Sequence, residues 1–114
     1  MNLVRGAAVA FVLSAANPIQ AAESVTGRWA VDLEACARFL GADLPLIVTD
    51  NSLRWFDDAC RIERSYKTGD TVHIQANCWG NGGVRSIPVS LRPHGGRLAV
   101  TWDRGARGEL KRCP

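Results

Sequence analysis

Four cysteines, Cys36, Cys60, Cys78 and Cys113, constrain this chain of 114 residues more than any other feature. They stand 24, 18 and 35 positions apart. No two have the C-x-x-C spacing by which one tight turn aims two thiolates at a zinc ion or forms a redox pair. An even number of widely spaced cysteines instead reads as two disulfides in an oxidising compartment. Each bridge contributes roughly 2–4 kcal/mol, largely by restricting the unfolded chain. Three pairings are open. A hairpin described below puts Cys60 opposite Cys78, which makes 60–78 with 36–113 one candidate. Directly opposed cross-strand bridges meet the geometry of a disulfide poorly, and this favours 36–60 with 78–113.

The first 22 residues support the same compartment. Arg5 is their only charge, Gly6–Ala16 is apolar, Asn17-Pro18 breaks the run and Ala21-Ala22 supplies small residues for cleavage. This is the layout of a secretory signal peptide. Eleven apolar residues fall short of the ~20 that a spanning helix needs. No cysteine closely follows the run, so neither a lipid anchor nor a membrane anchor is expected after cleavage. Cleavage after Ala21 puts Ile19, and after Ala22 puts Gln20, at the third position before the cut. Neither is small, so the cleavage site stays open. The expected product, Glu23–Pro114, is a single disulfide-stapled domain of the periplasm or the medium. It is small for a hydrophobic core to hold unaided.

Charge is split along the chain. Residues 23–58 carry three arginines against seven acids, whereas residues 84–114 carry six arginines and a lysine against two acids. A folded domain interleaves such halves, so no basic patch follows from the split.

The pattern beyond Glu23 is one of short strands and turns. Thr26–Val31 reads as a strand carrying Trp29. Asp32–Leu40 has helical spacing, with Leu33, Cys36, Ala37 and Leu40 on one face, Asp32 as cap and Gly41 as stop. Strands follow at Leu46–Thr49 and Leu53–Phe56. Cys60–Tyr66 and Thr71–Trp79 then flank the turn Lys67-Thr68-Gly69-Asp70 as a hairpin. Cys60, Ile62 and Tyr66 are assigned to one face of its first strand, and Val72, Ile74, Ala76 and Cys78 to one face of its second. Ser86–Arg92 and Arg97–Trp102 alternate likewise, with Pro88 marking an edge or a bulge. Glu109–Cys113 closes the pattern. Seven or eight such strands in up-and-down order predict an all-β, mainly antiparallel fold: a small barrel or a curved sheet, with one short helix.

Chemistry is sparse. His73 and His94 are the only histidines, and no G-x-S-x-G elbow presents a nucleophile to either. A small hydrolase using one of them is the weakest of three functional readings. Gly80-Asn81-Gly82-Gly83 lacks the Lys and Ser/Thr of a phosphate loop. Asp50, Asp57 and Asp58 do not match a calcium loop. No catalytic residue, metal ligand or cofactor is assigned. Trp29, Trp55 and Trp102 lie in strands, and at least two of them are expected to fill the core. Trp79, on the polar face beside the glycine loop, reads either as a cover for a barrel end or, with Arg85, as a partner-binding anchor, since Trp and Arg dominate interface hot spots. Export argues against nucleic acid as a ligand.

The signal, the early Gly27-Arg28-Trp29, Cys36, Cys60-Arg61-Ile62, Ala76-Asn77-Cys78 and the terminal Arg112-Cys113 together resemble small exported four-cysteine proteins of Gram-negative bacteria. The G-x-W start followed by a cysteine is also similar to periplasmic inhibitors of secreted metalloproteases, which are small barrels with one disulfide. The resemblance implies an inhibitor-like binding module for an envelope or periplasmic protein. No functional residue transfers with it. A carrier of a small ligand in the barrel mouth is the second reading.

Overall fold

Alternation of apolar and polar residues turns almost the whole domain into strands. The computed structural model describes residues 23–80 and 83–114; the signal segment Met1–Ala22 and Asn81-Gly82 of the glycine loop lie outside the described residues. Eight strands follow in order: β1 (Gly27–Ala30), β2 (Leu46–Val48), β3 (Ser52–Trp55), β4 (Asp58–Thr68), β5 (Thr71–Gly80), β6 (Gly83–His94), β7 (Arg97–Trp102) and β8 (Gly105–Arg112). Each pairs antiparallel with the next, and β1 pairs with β8 through Trp29↔Arg112, so the sheet closes into an up-and-down barrel. Closure leaves no open sheet edge to recruit another strand.

Inward positions form one core. Trp29, Leu46, Val48, Leu53, Trp55, Cys60, Ile74, Ala76, Cys78, Ile87, Val89, Leu91, Leu98, Val100, Trp102 and Leu110 are all buried. A buried tryptophan usually finds a partner for its N–H group, and two of the three do here. Trp29 Nε1 donates to the Val25 carbonyl at 2.9 Å and Trp55 Nε1 to that of Leu44 at 3.2 Å. Trp55 and Trp102 meet edge to face at 5.3 Å. The Arg112 guanidinium lies over the Trp29 ring, 4.1 Å from its centroid, a cation–π cover for the core near the chain termini.

Three expectations change. The helix over Asp32–Leu40 shrinks to a single 3-10 turn at Ala35–Ala37. Glu34, not Asp32, occupies the N-cap position, although Asp32 Oδ1 still accepts from the Ala35 N–H at 2.8 Å. Leu33 and Leu40, however, are exposed, so the apolar face that the spacing suggested is not buried. Tyr66 is not inward. The β4–β5 register shifts between Ile62 and Arg64. That one-residue bulge moves every later β4 side chain to the opposite face, and Tyr66 stacks outside on His73. Pro88 lies within a closed ladder rather than at an edge. Its carbonyl accepts from Asp103 N–H at 2.8 Å just past Val89↔Trp102, the last pair before β7 ends. The missing proline N–H therefore faces the place where the neighbouring strand has turned away.

The favoured disulfide pairing is also corrected: the bridges are Cys36–Cys113 and Cys60–Cys78. Cys60 and Cys78 are register partners pointing into the core. Cys36 sits outside, where the β1–β2 segment folds back along the wall. Arg28 places both members of the outer bridge. Its guanidinium donates to the Cys36 carbonyl, and its own carbonyl accepts from Cys113 N–H at 2.8 Å. A Cys36–Cys60 bond would have to pass through the barrel wall.

Candidate functional site

The register that builds the barrel also lines up its outward side chains. Following pairs from strand to strand gives one continuous row: Arg28↔Ile47, Ile47↔Arg54, Arg54↔Ala59, Ala59↔Trp79 and Trp79↔Val84. Six strands, β1 to β6, each contribute one residue. Side chains directly opposite on one face lie about 4.5–5.5 Å apart at Cβ, so the row is a contiguous stripe. It holds apolar and cationic groups and no carboxylate. Trp79 is 45% exposed and Val84 71%.

Two grooves flank the stripe and share Arg54. One, lined by Arg28, Phe39, Pro45, Ile47, Arg54 and Phe56, runs beneath the segment that carries Cys36. The other, lined by Ser52, Arg54, Ala59, Arg61, Ile62 and Trp79, lies over β3 and β4. Phe39 is 83% exposed above the first groove. The Arg54 guanidinium makes no ion pair or hydrogen bond with any described residue. Trp79 ends at Gly80, where any Cβ would approach within 2.7 Å of the Asp57 carbonyl and of Asp58 Oδ1. Glycine there lets β5 close against the β3–β4 turn.

That turn adds an apolar group. Trp55↔Asp58 leaves only Phe56 and Asp57 between the strands. Phe56 adopts φ 52°, the left-handed region that glycine or asparagine normally fills, and its ring packs on Trp55 at 4.8 Å. A bulky residue at positive φ is a true outlier. Such strain concentrates at functional sites.

Of the two residues singled out in sequence, the structure places only Trp79 in this stripe. Arg85 is the register partner of Cys78 and so shares the inward face. Its guanidinium bridges Asp58 and Asp103, each at 3.2 Å, and ties β4, β6 and the β7–β8 turn together across one barrel end. Trp79 and Arg85 therefore lie on opposite faces of the sheet. The interior between the barrel ends is occupied by core side chains, three tryptophans among them.

The remaining candidates stay apart. His94 Nε2 is 2.8 Å from Glu109 Oε2 beside the β6–β7 turn. That hydrogen bond, then the charges of His94, Arg97 and Arg92, holds the Glu109 carboxyl below its ordinary range. His73 stacks on Tyr66 on a different part of the wall. Asp58 is engaged by Arg85, while Asp50 lies at the far end of β3 from Asp57 and Asp58. No metal-binding cluster of three or more His, Cys, Asp or Glu occurs among the described residues. No helix among them is long and apolar enough to cross a membrane.

Sequence reasoning missed Arg54, Phe39, Phe56 and Val84. The strand register makes Arg54 and Val84 neighbours of Ala59 and Trp79, and no local pattern encodes register between strands. Phe56, the expected last residue of the strand Leu53–Phe56, stands instead in the two-residue turn, and its residue type gives no sign of a positive φ. In comparisons with protein-family models, characterised proteins and solved structures, nothing matches this chain.

Proposed function

We propose that this protein is an exported, non-enzymatic binding module, an inhibitor or accessory of a protein of the bacterial envelope, and that it docks its partner across the Trp79 stripe. The observation that carries this reading is the cross-strand row Ile47–Arg54–Ala59–Trp79–Val84, an exposed apolar and cationic surface without carboxylates. Exposed apolar patches rimmed by polar groups mark interaction surfaces. A Trp beside an unpaired Arg is the composition of a hot spot. The matching partner surface is apolar with at least one carboxylate facing Arg54. Two disulfides suit an oxidising compartment. A rigid, closed barrel loses little order on docking, which favours affinity.

The test is affinity capture from a periplasmic extract with the oxidised domain Glu23–Pro114, followed by Kd measurement on the captured partner. Trp79→Ala lowers affinity about 30-fold or more, the hot-spot scale of ~2 kcal/mol, and Arg54→Glu does so through charge reversal. Arg85→Ala, which changes the inward face, lowers thermal stability and leaves the affinity of the folded fraction intact. A partner bound equally well by Trp79→Ala and Arg54→Glu removes this surface from the reading.

A further inference from the structure

Further along β4, β5 and β6, and reaching β7, the wall carries a third, chemically different groove of about 530 Å³, of a size that ligand sites commonly have. It is built from two neighbouring register rows. Tyr66↔His73, His73↔Ser90 and Ser90↔Thr101 form one; Arg64↔Gln75 and Gln75↔Pro88 form the other. Arg104, in the two-residue turn between β7 and β8, also lines the groove. It is held at φ 72° next to Asp103 at φ 54°. The bulge before Arg64 matters here, because it turns both Arg64 and Tyr66 to this face.

The lining has a definite chemistry. Tyr66 and His73 stack on each other, centroids 4.9 Å apart and planes 18° from parallel, so the pair presents a ring surface to one side of the groove. Ser90 and Thr101 offer hydroxyls and Gln75 an amide, all able to exchange hydrogen bonds with a polyol. The guanidinium groups of Arg64 and Arg104 make no ion pair or hydrogen bond with any described residue. No carboxylate lines the groove. The nearest acid in sequence to Arg104, Asp103, is already engaged by Arg85. Two uncompensated guanidiniums above hydroxyl, amide and aromatic groups are complementary to a ligand that is anionic, polyhydroxylated and partly apolar on its ring faces.

We infer that this groove binds an acidic saccharide of one or two residues, its carboxylate held by Arg64 or Arg104, its hydroxyls by Gln75, Ser90 and Thr101, and a sugar face against the Tyr66–His73 pair. This site lies on different residues from the Trp79 stripe and acts independently of it.

The test is an NMR titration of the oxidised, isotope-labelled domain with digalacturonic acid, alongside cellobiose, sodium sulfate and a short oligothymidylate. Digalacturonate produces saturable shifts at Tyr66, His73, Gln75, Ser90 and Thr101, and binds at least tenfold more tightly than cellobiose. Combined Arg64→Gln and Arg104→Gln substitution weakens it at least tenfold. Thr101→Val, which keeps shape and charge, weakens it about threefold. Lys111→Gln, which removes a positive charge on β8 outside the groove, leaves it unchanged. Shifts that fail to saturate or fall elsewhere overturn the assignment, as does equal binding of cellobiose. Sulfate binding as tightly as digalacturonate reduces the site to a simple anion site, and tighter binding of the oligonucleotide reassigns it to nucleic acid; either result overturns the saccharide.

Discussion

Phe56 shows how one residue can serve a surface at the expense of its own backbone. A left-handed conformation costs a non-glycine residue roughly 1–2 kcal/mol. Phe56 recovers part of this by packing on Trp55, a contact of the kind worth about 0.5–1.5 kcal/mol beyond area burial. Phe56→Gly removes both terms, so its stability in urea stays within about 1 kcal/mol of the parent. The affinity for the partner falls, however, because the groove beside Arg54 loses its aromatic wall. A variant that becomes strongly unstable would show that Phe56 serves the core instead. Glu109 supplies a second prediction at this scale. Its folded-state pKa lies below the ordinary glutamate value, first because of the His94 hydrogen bond. A depressed carboxylate contributes stability above the unfolded pKa and loses it as pH falls through the folded one. Since Glu109 is solvent-exposed, the contribution is small, and direct titration is the better measurement. The Glu109 carboxyl resonance titrates below the ordinary range in the parent and moves up toward it in His94→Ala.

At the scale of elements, register decides the molecule. β4 contains one more residue than its pairing with β5 requires, and the extra residue, Glu63, sits between Ile62↔Ala76 and Arg64↔Gln75. Deleting Glu63 leaves Ile62 inward and Arg64 and Tyr66 outward, and the ladder becomes regular. Deleting Gln75 from β5, which has no residue to spare on its β6 side, sends one half of that strand's inward set outward. The expected outcome is a folded, disulfide-bonded Glu63 deletion with a cooperative thermal transition, and a Gln75 deletion that fails to form Cys60–Cys78 in good yield. Two equally damaging deletions would show that the bulge is a packing requirement and not a spare residue. The same bulge marks how much the sequence discloses. Alternation identified β5, β6 and β7 and their inward residues, because burial on one face writes itself into every second position. Tyr66 was misassigned because a bulge leaves no compositional mark. Arg54 and Val84 stayed hidden because their neighbours lie on other strands. The helix over Asp32–Leu40 was suggested by a valid 3.6-residue spacing, yet nothing in the closed barrel covers that face. Trp79 was legible as exposed by its place among His73, Gln75 and Asn77, and Arg85 by the same alternation belongs to the inside.

For the whole molecule, the two disulfides have unequal tasks. Cys36–Cys113 closes a loop with a sequence separation of 77, almost the full barrel, and Cys60–Cys78 one of 18. Chain entropy alone assigns them about 4.5 and about 3 kcal/mol, both large beside the 5–15 kcal/mol total of a typical domain. Accessibility runs the other way: Cys60 and Cys78 are buried in the core, whereas Cys36 and Cys113 are half-buried on the outer wall. Mild reductant therefore opens Cys36–Cys113 first, as mass mapping of alkylated peptides will read out. The consequence reaches the docking surface. That bridge and the Arg28 contact hold the β1–β2 segment against the wall, and Phe39 on this segment lines the groove next to Arg54. Cys36→Ala with Cys113→Ala thus lowers the midpoint in urea and also weakens partner binding under conditions where the barrel remains folded and Cys60–Cys78 intact. Unchanged affinity in that folded variant would confine docking to the rigid strands, with Phe39 outside it. Reduction of Cys60–Cys78 ahead of Cys36–Cys113 would mean that the β4–β5 hairpin opens before the outer segment detaches, reversing the order of local stability argued from burial.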